Sequence, residues 1–304
     1  MKKYLKYIIA PILVMILCVQ TVLPSFAWDK EMISCTVLGD SIAKGYSASK
    51  KNPIKSYGRL VTERLAEEEG TYYNYSNYAV NGLDTEGLNK DVLSRDTVKR
   101  YLNKSDIILV TIGSNDLLNE CKNMVTDILN MDTKFRSAPQ AIAALKTAIE
   151  KNPLIILKLI DALSKWNYGR FEKQWAQAMK TIQEQKKESA QIIVTNIYNP
   201  VHKVEMPGTI NKVLEDIIQN MNGIIEKRAD EYGYKIVDLF DSDVTAFVQK
   251  DGLHPNSDGQ QLIADLVYEK LEDPDEKSEL QEDIGKAQNS VTFATHKFHK
   301  NLIP

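Results

Sequence analysis

The sequence predicts an α/β protein with a parallel sheet covered by helices on both faces. Short apolar runs alternate with segments of helical spacing, and strands that are apolar throughout are buried on both faces. Most of these runs end at turn signals such as Gly39 or Asn81-Gly82, as strand-to-helix connections do. Hydrophobic residues make up 43% of the 304-residue chain and charged residues 26%, which is ordinary for a globular protein.

Five segments are predicted to be strands because they are short, apolar or aromatic, and bounded by turn residues. They are Ile33–Leu38, Tyr73–Ala79, Asp106–Ile112, Gln191–Ile197 and Tyr234–Leu239. Apolar residues at helical spacing predict helices over Tyr57–Glu69, Thr209–Tyr232 and Asp258–Leu271. Asn256 or Ser257 is the expected cap of the last helix.

The first 27 residues are predicted to be a cleavable signal peptide. Three lysines precede the uncharged stretch 7–28, and the small residues Ser25 and Ala27 suit cleavage after Ala27. That stretch is also long enough to span a bilayer, so an uncleaved anchor is the alternative. Cys18 follows a leucine where a lipoprotein would have a small residue, so a lipid anchor is not expected.

The charge balance excludes a typical nucleic-acid-binding protein, because the formal net charge is −3. Cys35 falls inside a predicted strand and Cys121 well beyond the end of another, so both are expected to be free thiols. Residues 273–304 are expected to be a solvated tail. It contains the pair His296-x-x-His299, but the sequence offers no apparent further ligands that would complete a metal site with this pair.

Polar residues after the first predicted strand provide a candidate nucleophile. Sheets of this kind carry their sites just beyond the carboxyl ends of the strands. Gly39-Asp40-Ser41 follows the first strand directly. Gly39 permits a sharp turn that would place Ser41 at the start of a helix. In isolation, however, this tripeptide is better explained as a helix cap.

His254 is the candidate base, since a serine nucleophile needs a base whose pKa lies near neutrality. Of the four histidines, His254 lies in a loop that also offers an acid, Asp251, three residues earlier. Asp251 can bond one imidazole nitrogen and leave the other free. Alone, this motif fits a solvated turn equally well. Gly82 and Asn115, after two further strands, offer N–H donors to a developing oxyanion.

These blocks occur at successive strand ends, and in this order they resemble the SGNH (GDSL-type) hydrolase family, which includes secreted bacterial esterases and lysophospholipases. The matching blocks are Val37–Ile42 (VLGDSI), Asn77–Gly82 (NYAVNG), Gly113–Asp116 (GSND) and Asp251–Pro255 (DGLHP). Ile42 stands where the family often has leucine. The resemblance covers residues 33–116 and 191–272, and leaves 117–190 and the tail outside it.

The resemblance implies a flavodoxin-like three-layer α/β/α sandwich with a five-stranded parallel sheet in the order 2-1-3-4-5. It implies Ser41 as nucleophile, His254 as base and Asp251 as the acid that orients the base. The backbone N–H groups of Ser41 and Gly82 and the side-chain amide of Asn115 would form the oxyanion hole. It implies no metal and no organic cofactor. Asp40 is expected to shape its turn, and Asp116 to make local hydrogen bonds.

The resulting expectation is a secreted serine esterase or lipase whose hydrolase domain spans residues 28–272. Its substrate would be a small-molecule or lipid ester, met at a membrane surface or cell wall. One alternative is removal or transfer of acetyl groups on cell-wall or plant polysaccharide. Another is a surface protein that binds a ligand without catalysis. The oligomeric state is not predicted.

The segment 117–190 is predicted to be a helical insertion between the third and fourth strands. Its helices are expected over Pro139–Lys151 and Leu154–Trp166, with a third one whose apolar face runs from Phe171 to Ile182. The simpler interpretation is that they pack on one another and on the sheet. The alternative is a cap over Ser41 that holds an acyl chain, because a helix apolar on nearly all sides needs cover.

Overall fold

One five-stranded sheet organises the protein, and its strand order is β2-β1-β3-β4-β5, as expected. The computed structural model describes residues 32–49, 51–199 and 207–272. The expected signal peptide, Cys18 and the tail with its two histidines lie outside the described residues. The strands are β1 (Met32–Gly39), β2 (Tyr72–Asn77), β3 (Ile107–Thr111), β4 (Gln191–Thr195) and β5 (Lys235–Val237).

The ladders confirm that neighbouring strands run parallel. β1 pairs with β3, β3 with β4 and β4 with β5, all in parallel register. The chain leaving β2 continues beside β1. There the amides of Tyr78 and Val80 donate to the carbonyls of Val37 and Gly39, each at 2.9 Å. All strands therefore end at the same edge of the sheet.

Eleven α-helical segments are found in the described residues, with one π-helical turn over Leu88–Val92 and one 3₁₀ turn over Asp243–Ala246. The helices are α1 (Ser41–Lys44), α2 (Tyr57–Glu68), α3 (Thr85–Gly87), α4 (Asp96–Leu102), α5 (Ser114–Ile128), α6 (Ala138–Lys151), α7 (Ile155–Ser164), α8 (Tyr168–Gln185), α9 (Gly208–Lys227), α10 (Ala229–Tyr232) and α11 (Ser257–Glu272).

The two faces of the sheet carry separate cores, because successive strand residues point to opposite faces. Val37 and Leu109 belong to the core that α2 and α11 cover. Leu38 and Val110 belong to the larger core that α4 to α9 cover. The architecture is therefore the expected three-layer sandwich.

Four predicted strands extend past their observed ends on the side of the site. Ala79, Ile112, Ile197 and Leu239 are at most 2% exposed, yet they lie beyond the ends of β2, β3, β4 and β5. A run of apolar residues indicates that the chain is buried, but not that it pairs with a neighbouring strand. The sequence pattern therefore cannot distinguish the end of a strand from the buried turn that follows it. Similarly, the single helix predicted over 209–232 is interrupted at Arg228, which caps the C-terminus of α9.

The insertion packs on itself and on the sheet, as the simpler interpretation proposed. α5 to α8 contribute buried residues to the same core as Leu38 and Val110. Trp175 of α8 is fully buried, and its indole N–H donates to the Tyr234 hydroxyl at 3.1 Å. α7, predicted to be apolar on nearly all sides, is not buried on all sides. Leu157 on its outer face is 63% exposed.

Both cysteines of the described residues are free, as expected. Cys35 is buried in β1, and Cys121 lies on α5. Burial raises the pKa of each thiol to about 12, so neither carries a reactive thiolate at neutral pH. Across the residues with assigned structure, no helix combines the length and apolar character that crossing a bilayer requires.

Candidate active site

Ser41 sits on a sharp turn that the end of β1 makes before α1. Gly39 has a φ of +135°, and a Cβ there would lie 1.9 Å from the Thr111 carbonyl oxygen, so no other residue fits. The Asp40 amide donates a hydrogen bond to the same Thr111 carbonyl at 3.0 Å. One Asp40 oxygen then accepts from the Ile42 amide at 2.9 Å and caps the helix that Ser41 begins.

His254 is carried by a tightly tied loop that precedes α11. The Gln249 amide donates to the His254 carbonyl at 2.7 Å, and Val248 and Pro255 form an antiparallel bridge. Asn256 then caps α11, accepting from the Gly259 amide at 2.9 Å. The backbone on both sides of the imidazole is therefore held in place.

The structure brings Ser41, Asp251 and His254 into one hydrogen-bonded chain. His254 Nδ1 lies 2.8 Å from Asp251 Oδ2, and His254 Nε2 lies 2.9 Å from Ser41 Oγ. With Nδ1 as the donor to the carboxylate, Nε2 is left to accept the serine proton. This is the arrangement in which an imidazole activates a hydroxyl and an acid fixes the tautomer.

The Asp251 carboxylate is held ionised. Partial burial acts to raise its pKa, but hydrogen bonds from the Leu253 and His254 amides, at 3.0 and 3.1 Å, outweigh burial. The bond to the His254 ring adds to this, and the pKa of Asp251 ends below its ordinary value. A carboxylate that stays charged can stabilise the imidazolium that forms when Ser41 loses its proton.

Gly82 and Asn115, the expected oxyanion donors, line the same cavity as Ser41 and His254. Gly82 has a φ of +76° and lies in an open turn. The Asn115 side-chain amide donates to the Leu83 carbonyl at 3.0 Å and lies 3.4 Å from Asp40 Oδ2. The first bond fixes the orientation of the amide, and the second is long enough for another acceptor to compete with it.

The cavity in front of Ser41 has a volume of about 630 Å³. Its walls come from the strand ends and also from residues 136–139, at the start of α6. The insertion therefore reaches the site as one wall, although most of it packs elsewhere. Asn81, Asn119 and Arg136 contribute polar groups to a lining that is apolar over most of its area.

Two buried carboxyl groups next to the site act as structural ties. Burial raises the pKa of Asp40 to about 7 and that of Asp116 to about 6, against hydrogen bonds that lower both. Asp116 accepts from the Thr85 amide at 3.0 Å and from the Thr85 hydroxyl at 2.6 Å. It thereby holds α5 against the chain that follows Gly82. These contacts agree with the structural roles expected for both acids.

Several residues that hold the site together were not singled out from the sequence. The Tyr46 ring lies 4.4 Å from the His254 ring, centroid to centroid. Gln249 donates to the Tyr46 carbonyl at 2.8 Å and to the Pro255 carbonyl at 3.0 Å. The Tyr198 hydroxyl bonds to the Leu253 carbonyl. Apart from the bond between Gln249 and Pro255, these contacts join distant segments, so no local spacing signals them.

In the part of the chain that the structure describes, no group of three or more His, Cys, Asp or Glu side chains is arranged to hold a metal ion.

Comparison with known proteins finds a matching family and similar folds. The family model for GDSL-like lipases and acylhydrolases matches residues 36–267. The uncharacterized protein YpmR of Bacillus subtilis (strain 168) is 26% identical over 252 residues, covering 80% of this chain and 82% of that protein.

Solved structures of similar fold include two lipases. Lip_vut3, from a goat rumen metagenome, is 17% identical and superposes with a TM-score of 0.54, covering 77% of this chain and 95% of that one. The extracellular lipase of Streptomyces rimosus is 18% identical with a TM-score of 0.50, covering 78% and 99%. Since the family model spans most of the chain, this protein belongs to the GDSL-like lipase and acylhydrolase family and is a hydrolase of the SGNH type.

Proposed function

We propose that this protein is an exported serine esterase that hydrolyses acyl esters through an acyl-enzyme on Ser41. The observation that carries the proposal is the hydrogen-bonded chain from Asp251 through both ring nitrogens of His254 to Ser41 Oγ. It opens onto a cavity large enough for a small ester.

Acylation begins when His254 Nε2 takes the Ser41 proton as Oγ attacks the ester carbonyl carbon. The new Oγ–C bond forms, and an electron pair moves onto the carbonyl oxygen. His254 then gives its proton to the alcohol oxygen as the ester C–O bond breaks. Water repeats the sequence on the acyl-enzyme, so the acid leaves and Ser41 is restored.

The tetrahedral oxyanion would be held by the backbone N–H groups of Ser41 and Gly82 and by the Asn115 amide. Asn115 is suited to this because the Leu83 carbonyl fixes one N–H while the other contact, to Asp40, is long. A donor held in position before the reaction needs no reorganisation when charge develops, which is why such groups contribute strongly to rate.

A serine-directed fluorophosphonate probe tests the catalytic chain. We expect the probe to label the wild-type protein and not to label Ser41→Ala. Ser94→Ala removes an exposed serine and serves as the matched control that keeps full labelling. An unlabelled wild type, or equal labelling of Ser41→Ala, would contradict the proposal. The first result would favour the alternative of a binding protein without catalysis.

Three polar side chains in the cavity support an ester of a polar alcohol. Asn81, Asn119 and Arg136 face the space in front of Ser41, where the alcohol group would lie. The same three side chains support a second candidate, hydrolysis or transfer of acetyl groups on a polysaccharide. A panel of p-nitrophenyl esters, lysophospholipid and acetylated xylan separates the two. Activity on acetylated xylan that exceeds activity on all lipid esters would favour the second.

Export is proposed from the basic start, uncharged run and small residues of the segment 1–27. An exported esterase would meet lipids of the membrane surface and acylated polymers of the cell wall. Mass spectrometry of protein from the culture medium should find a mature chain that begins at Trp28. Recovery of chains beginning at Met1 in the membrane fraction would instead support an uncleaved anchor.

A further inference from the structure

A second, separate cavity of about 60 Å³ lies between α5, α6, α7 and α9. Residues such as Leu117, Ala141, Leu145, Leu163 and Ile210 form its walls, which are almost wholly apolar. Resting on the proposed ester hydrolysis at Ser41, we propose that this cavity receives the acyl chain of the substrate and selects esters of medium-chain acids.

The apolar cavity adjoins the cavity in front of Ser41. Leu118, Lys122 and Ala138 line both of them. Asn115, Leu118 and Lys122 share one face of α5, because residues three and four apart are neighbours on a helix. This face leads from the proposed oxyanion donor into the apolar cavity.

The chemistry of the walls specifies the occupant. A small cavity without polar partners does not hold water well, but it takes up apolar ligands. Because each methylene group removed from water is favourable, every carbon that enters should raise kcat/KM by about fourfold. An acetyl group would lie in the cavity beside Ser41, so it would gain little from these walls. The alcohol group of the substrate would therefore bind in the cavity in front of Ser41, and the acyl chain would bind in the apolar cavity.

The size of the cavity limits the chain. One water needs about 10–15 Å³ of such space, so 60 Å³ holds roughly four to six carbon atoms. The first carbons of the acyl group would lie in the cavity beside Ser41. We therefore expect kcat/KM to rise from acetate to a maximum at about six to ten carbons, and to fall for longer chains.

Ala141 offers a direct test, since it is 4% exposed and lines the apolar cavity. Ala141→Leu fills part of that space. It should lower kcat/KM for p-nitrophenyl octanoate at least tenfold, while p-nitrophenyl acetate changes less than twofold. Ala143→Leu is the matched control, because Ala143 is exposed on the same helix. Its chain-length profile should equal that of the wild type.

Leu145→Ala provides a second variant that enlarges the cavity instead of filling it. It should move the maximum by two or more carbons toward longer chains, and thermal melting of both variants would verify that they fold. A wild-type rate that falls steadily from acetate upward, or an unshifted maximum in Leu145→Ala, would overturn the acyl cavity and leave ester hydrolysis standing. Loss of all Ser41-dependent turnover would instead remove the proposed function itself.

Discussion

Gln260, on the last helix, donates a hydrogen bond to the carbonyl of Ile42 at 3.0 Å and accepts one from the amide of Tyr57 at 2.7 Å. Its side chain is 1% exposed. Ile42 directly follows the candidate nucleophile, and α11 directly follows the loop of the candidate base. One buried amide thus ties together the two segments that must meet for Ser41 and His254 to interact.

Gln260→Leu should therefore reduce the free energy of unfolding by about 1–3 kcal/mol, because it leaves the buried amide of Tyr57 without this acceptor. The Ile42 carbonyl loses one of two hydrogen bonds and keeps the one from the Gly45 amide. Urea unfolding followed by circular dichroism measures this. Gln261→Leu, one residue on and exposed, should cost less than about 0.5 kcal/mol. Equal losses in the two variants would show that Gln260 does not join these segments.

Asn115→Ala should lower kcat about 10²–10³-fold with little change in KM, because its amide would act on the transition state rather than on the bound ester. Steady-state kinetics on p-nitrophenyl esters test this. Asn220→Ala removes an exposed asparagine of α9 that donates to the Asp216 carbonyl at 2.7 Å and does not line the cavity in front of Ser41, so it should retain kcat within about twofold. An unchanged rate in Asn115→Ala would exclude Asn115 from the oxyanion hole.

Asp40 should make stability depend on pH. Burial raises its pKa to about 7, against an ordinary 3.8, so the folded protein favours the protonated form. The stabilising contribution is present below pH 3.8 and is lost as the pH rises through about 7.

Asp40→Asn keeps a side-chain acceptor for the Ile42 amide but cannot ionise. Its unfolding free energy relative to wild type should therefore rise by about 3 kcal/mol between pH 5 and pH 8. Urea unfolding of both proteins at the two pH values gives the difference, in which the titration of the other groups largely cancels. A difference that stays constant with pH would contradict the assignment of a raised pKa to Asp40.

Gly39→Ala should unfold the protein or cost at least about 3 kcal/mol, because the new methyl group would meet the Thr111 carbonyl oxygen at 1.9 Å. Gly70→Ala is the control. Gly70 also has a positive φ, +61°, but nothing lies within 4 Å of an added Cβ, so the cost is that of the backbone alone, about 1 kcal/mol. Thermal melting should separate the two variants clearly, and similar melting temperatures would refute the steric argument.

The strands were open to sequence reasoning because most of them are short apolar or aromatic runs that end at a turn signal. Their order followed from the resemblance to the SGNH family. The blocks around Ser41, Asn115 and His254 were also visible, since each is a short contiguous motif after a strand. The exact strand ends were not visible. Ile112 and Leu239 are buried without being paired, and hydrophobicity cannot tell these states apart.

The sequence by itself determined the fold class, because its strands and helices alternate. The candidate triad and the candidate oxyanion donors, each ambiguous as a local motif, followed from the order of the motifs and its resemblance to the SGNH family. Only the tertiary structure decided what holds the triad and what surrounds it. Gln249 and Gln260 act through contacts between residues about 200 positions apart, which no spacing encodes. The apolar cavity is likewise a space between four helices, so it exists only once their faces are packed together.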